Sequence, residues 1–120
     1  MDIINRDDVK PFITKDTSEI REILAPTNSS IEKQSLAEAT LHPGGKTVEH
    51  CHMKAEEIYY ILQGKGRIKF DTMTSDIRPG DGIAIPPGTH HQIHNTGTTD
   101  LVFLCLCVPP YTHEDTMLEE

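Results

Sequence analysis

Residues 44–57 read Gly-Gly-Lys-Thr-Val-Glu-His-Cys-His-Met-Lys-Ala-Glu-Glu, so that His50 and His52 lie two apart with the pair Glu56-Glu57 close behind. A second stretch, residues 86–95, reads Pro-Pro-Gly-Thr-His-His-Gln-Ile-His-Asn. Residues i and i+2 of a strand point to one face, so His50 and His52 converge on one point if this segment is extended. Imidazole with carboxylate suits a divalent transition ion such as Zn, Fe, Mn or Ni. The pairing predicts a metal site inside a β-structure.

The flanking sequence supports strands. Gln34 to Leu41 alternates, and Pro43-Gly44-Gly45 turns the chain. Lys46 to His52 reads as a strand, Met53 to Glu56 as a loop, and Glu57 to Gln63 as a strand rich in β-branched and aromatic residues. Gly64-Lys65-Gly66 is a tight hairpin into Arg67 to Asp71, followed by Met73 to Ile77 and the turn Arg78 to Asp81. Gly82 to Ile85, His90 to Asn95 and the apolar run Leu101 to Val108 complete the series before Pro109-Pro110. Regular short strands between Gly/Pro turns indicate a β-sandwich or barrel. Nearer the N-terminus, Asp16-Thr17-Ser18-Glu19 matches a capping box before Ile20, Ile23 and Leu24, which predicts a short helix ended by Pro26. The expected organisation is an N-terminal arm with that helix (1–33), a barrel (34–110) and an acidic tail (111–120), the tail loose by default.

The spacings resemble the two motifs of the cupin superfamily. Gly44, five residues, His50-x-His52, four residues, Glu57, six residues and Gly64 are similar to the first motif. Gly80, five residues, Pro86-x-Gly88, two residues, His91, three residues and Asn95 are similar to the second. The resemblance implies an all-β, double-stranded β-helix (jelly-roll) barrel. It also implies one divalent ion on His50, His52, Glu57 and His91. Glu56 and His90 are the neighbouring alternatives. Only Glu57 keeps the spacing to Gly64, and only His91 keeps those to Gly88 and Asn95.

Alternation then sorts the side chains. With Glu57 inward, Tyr59 and Ile61 follow it, while Ile58, Tyr60 and Leu62 face out. With His91 inward, Ile93 and Asn95 follow, and His90, Gln92 and His94 point away. Cys51 faces opposite to His50 and His52. Tyr59 is the expected catalytic or substrate-contacting aromatic. His42 is a residue for a pocket rim. Cys105 and Cys107 share a face and read as small buried thiols.

The 120 residues form one domain with room for a core. Nineteen acidic against eleven basic residues give a formal charge of −8, a field that disfavours nucleic acid and anionic membranes. The N-terminal residues 1–8 carry no apolar core of a leader, and no run approaches a membrane span, so a cytoplasmic protein is expected. The functional expectation is a metal-dependent enzyme, an isomerase or oxygenase in type, acting on a sugar derivative or a hydroxy or keto acid. The alternative is a metal-dependent ligand-binding or sensing module without turnover. The outward apolar row on the Glu57 strand, with Ile3, Ile4, Phe12, Ile13 and Ile20, points to a homodimer.

Overall fold

A computed structural model describes residues 1–118; residues 119 and 120, the end of the expected tail, lie outside the described residues. Eleven strands run in chain order: β1 (Phe12–Ile13), β2 (Glu19–Leu24), β3 (Ser35–Leu41), β4 (His50–His52), β5 (Glu56–Gln63), β6 (Gly66–Phe70), β7 (Met73–Ile77), β8 (Gly82–Ile85), β9 (His91–Asn95), β10 (Leu101–Val108) and β11 (Thr116–Leu118). They build two antiparallel sheets, ordered β1-β2-β3-β10-β5-β8 and β11-β4-β9-β6-β7. Non-consecutive neighbours such as β10 between β3 and β5 are the mark of a jelly-roll barrel rather than a meander.

Alternation determines what lies between the sheets. Along β5, Glu57, Tyr59 and Ile61 are buried while Ile58, Tyr60 and Leu62 are exposed. Along β9, His91, Ile93 and Asn95 are buried. Ile61, Leu101 and Phe103 from one sheet and Ile68, Ile77 and Ile93 from the other form the core. Each such side chain contributes about 1.5–3 kcal/mol by leaving water. Asn95 ties the layers by donating to Leu41 O (2.9 Å) and Thr99 O (2.8 Å) while its Oδ1 accepts from Gly97 N (2.9 Å).

Four expectations are corrected. The predicted helix is strand β2, paired with β3 from Glu19↔Thr40 to Leu24↔Leu36. Ile20 is buried in the core, and Arg21 reaches out to Val9 O at 2.7 Å. The i, i+3, i+4 spacing fits a helical face, but β-branched Ile20 and Ile23 suit a strand, and Ile20 is paired on both sides, with Phe12 and Ala39. Asp16 caps no helix; its carboxylate closes a turn onto Ser18 N at 3.0 Å. The helical residues described are the 3-10 turn Arg6–Asp8. Second, only His50–His52 of the predicted Lys46–His52 strand pairs regularly. Third, Glu56, expected to end the loop from Met53, opens strand β5 instead. Fourth, Thr116–Leu118 is not loose: it adds an edge strand to β4, with Thr116 opposite His52.

Gly64 shows how tightly the β5–β6 turn is held. Its φ is +85°, and a Cβ there would meet Asp100 O at 2.5 Å and Leu101 Cα at 3.0 Å. Gly44 has a similar φ of +79° but open space around it. Gly44→Ala should therefore cost about 1–2 kcal/mol, the left-handed penalty alone, and Gly64→Ala clearly more. Urea unfolding of both variants checks this, and equal losses would contradict it.

Candidate metal centre

β4 and β9 lie side by side with His50 opposite His91. Strand periodicity places His52 on the same face as His50. The donor nitrogens of His50, His52 and His91 lie within 4.8 Å of one another, and all three rings are buried. Glu57 faces them from β5 in the other sheet and is itself only 5 % exposed. Glu56 is exposed on the outer face, and His90 precedes β9 outside the cluster.

Hydrogen bonding sets the ring tautomers. Carbonyl oxygens only accept, so His50 Nδ1 donates to Val48 O (2.7 Å) and His91 Nδ1 to Thr89 O (2.9 Å). Thr116 Oγ1 gives its single proton to Thr112 O (3.0 Å) and so accepts from His52 Nδ1 at 3.2 Å. Each neutral ring therefore presents a bare Nε2 to the site, the arrangement that orients imidazole ligands. On the other side, the Cys107 thiol donates to Glu57 Oε2 at 3.2 Å. That leaves Oε1 at 3.3 Å from His52 Nε2 and 3.5 Å from His91 Nε2.

Two buried acceptors here, Glu57 Oε1 and His91 Nε2, have no hydrogen-bond partner. Facing lone pairs need a proton or a cation between them. The spacings to His52 and His91 match a shared cation, since donors on one ion with bonds of about 2.0–2.2 Å sit roughly 3–3.5 Å apart, while Glu57 stands outside the group of three histidines whose donors lie mutually within 4.8 Å. Without a cation, protons take part of that role. Burial pushes the Glu57 carboxyl up, but His52 and His91 outweigh it and hold the pKa down at about 2. Burial favours neutral His52, but Glu57 outweighs it and raises the imidazole pKa. Burial and the neighbouring His91 lower that of His50.

Beside the cluster lies a cavity of about 40 Å³, room for roughly three waters on a scale where one needs about 10–15 Å³. Its lining includes His52, Glu57, Tyr59, Asp16, Glu22 and Tyr111. Tyr59 packs on Phe103 with ring centroids 4.8 Å apart and edge-on to His91 at 5.9 Å. Burial and then Glu57 push its phenol pKa well up, so it stays protonated. His42 does not line this cavity; it is exposed and bonds Asp100 at 2.9 Å. Asp16, Tyr111 and Thr116 were not foreseen as site residues. Asp16 was masked by its helix-cap pattern, and no local signal marks Tyr111 or Thr116, which arrive by long-range pairing.

The cupin domain family matches residues 37–107 of the chain. The uncharacterized protein MJ1618 of Methanocaldococcus jannaschii is 50% identical over 114 residues, 95% of this chain and 91% of that one. An oxalate-binding protein of Thermotoga maritima is 39% identical over 72 residues, 60% of each chain. The crystal structure of a predicted oxalate decarboxylase from Thermotoga maritima superposes with a TM-score of 0.80 at 28% identity, covering 90% of this chain and 99% of that one.

The pKa directions set a pH dependence for the metal-free protein. Glu57 is held below its ordinary 4.5, so its pairing stabilises fully above that pH and is lost as pH falls toward about 2. His52 is raised above its ordinary 6.5, so its contribution is full below that pH and fades as pH rises through the raised value. In chelator-treated protein, unfolding stability should fall more steeply below pH 4.5 in the wild type than in Glu57→Gln. Parallel profiles would contradict the pairing.

Proposed function

The chain belongs to the cupin family, and we propose that it is a metal-binding member whose four donors are His50, His52, Glu57 and His91. The observation that carries this is the pair of buried, unpartnered acceptors, Glu57 Oε1 and His91 Nε2, set among three Nε2-presenting rings. A divalent ion held there offers Lewis acidity to an oxygen of a small molecule at positions that the protein leaves open. We read the protein as an enzyme acting on such a molecule, with Tyr59 donating a hydrogen bond to it from the cavity wall.

The wall favours one side of the substrate expectation. Asp16, Glu22 and Glu57 line the cavity, and no Lys or Arg is among its lining residues. A dianion gains little there once the carboxylates offset the ion. A neutral hydroxy-carbonyl compound of the sugar-derivative class fits better than a di-acid, although the Thermotoga maritima relative is an oxalate-binding protein. Binding without turnover is the second reading. It is supported by that same relative and by the small cavity. Individual alanine variants at His50, His52, Glu57 and His91 should each lose most bound metal by elemental analysis, while His90→Ala keeps it. Metal retained by His91→Ala and lost by His90→Ala would overturn the ligand set.

A homodimer belongs to the same proposal. Ile58, Tyr60 and Leu62 are 51%, 43% and 43% exposed in one row on the outer face of β5. Ile3, Phe12 and Ile13 are exposed at the β1 end, whereas Ile20 is in the core and unavailable. Such a row beside a short edge strand suits association with a second copy. Light scattering should give twice the chain mass, and Tyr60→Glu should reduce it to one. A monomeric wild type at micromolar concentration would contradict this.

A further inference from the structure

We propose that Asp16, outside both histidine motifs and outside the matched family region, is a fifth protein donor to the same ion. The inference rests on the metal-binding reading above.

Asp16 sits in the turn between β1 and β2. Its two oxygens are used differently. Oδ1 accepts from Ser18 N (3.0 Å), Ser18 Oγ (2.6 Å) and Thr14 Oγ1 (2.5 Å), which fills its capacity. Oδ2 is directed at His50 Nε2, 3.2 Å away. His50 spends its Nδ1 proton on Val48 O, so the neutral ring meets Asp16 with a lone pair. Two facing lone pairs are also the relation that Glu57 Oε1 bears to His91 Nε2, 3.5 Å apart. One cation answers both contacts once the two carboxylates close on it: both stand just outside the three-histidine group whose donors lie mutually within 4.8 Å, and donors sharing an ion with bonds of about 2.0–2.2 Å lie roughly 3–3.5 Å apart.

The turn is fixed where this requires it. Asp16 O accepts from Val48 N at 2.8 Å, two residues before His50. Lys15 Nζ donates to Thr116 O at 3.0 Å, beside the residue that orients His52. Thr17 holds φ at +77°, a conformation costly for a β-branched residue, and the surrounding bonds hold it there.

A fifth donor narrows the substrate. Four protein donors leave two positions on a six-coordinate ion; five leave one. The small molecule then binds through a single hydroxyl or carbonyl oxygen rather than as a two-oxygen chelate.

Asp16→Asn separates the donor from the turn. The amide oxygen keeps the Ser18 and Thr14 bonds, which turns an NH₂ without a lone pair toward His50. Ser18→Ala removes turn bonds and leaves Oδ2 in place. In Co(II) titrations followed by visible absorption, Asp16→Asn should bind about ten-fold more weakly or worse, the scale of loss seen even for outer-shell partners. Its ligand-field bands should gain intensity as coordination number falls. Ser18→Ala should match the wild type in both readouts. Asp16→Asn with wild-type affinity and spectrum, or Ser18→Ala weakened equally, would overturn the role of Asp16 alone. A wild type that takes up no Co(II) would overturn the metal reading beneath it.

Discussion

A carboxylate buried among three imidazoles is the constraint around which this barrel is organised. An isolated charge at the burial of Glu57 would cost several kcal/mol, and the fold answers it from both sheets. β4 and β9 bring His50, His52 and His91, and β10 brings the Cys107 thiol to the remaining oxygen. Every one of these groups is itself held by a second bond or by a strand ladder. The same packing that places Ile61 and Phe103 in the core therefore determines the register of the site. A one-residue slip of β5 would exchange Glu57 for an outward residue and bury Ile58 in its place.

That register is legible in the sequence because strand periodicity is local. The inward set Glu57, Tyr59 and Ile61 and the inward set His91, Ile93 and Asn95 both follow from counting by two. Motif spacing likewise separated His91 from His90 and Glu57 from Glu56. What failed was read from too short a window. Ile20, Ile23 and Leu24 fit a helical face equally well, and only the pairing of β2 with β3 decides between the two. Thr116 reaches His52 across 64 residues, so its contribution had no local signature. Cys51 is buried although alternation points it away from the cluster.

The cavity wall carries the chemical character of the site more than the ligand set does. Three imidazoles and a carboxylate suit several ions and several reactions. The carboxylates of Asp16 and Glu22, the protonated phenol of Tyr59 and the ring of Tyr111 line the cavity beside the histidines. They offer acceptors and donors but no cation. Three of them, Asp16, Glu22 and Tyr111, come from segments flanking the matched region 37–107, so proteins with the same motifs and different flanks can differ in this wall.

The two flanking segments meet: Lys15 bonds the backbone of Thr116, 101 residues later, and Thr116 in turn orients His52. The consequence concerns biosynthesis. A chain leaving the ribosome displays His50 and His52 long before Thr116 emerges, so the nascent chain lacks the group that sets the His52 tautomer. Contacts of such sequence separation form late in folding. The orientation of His52 therefore waits on long-range contacts that join residues 15, 52 and 116.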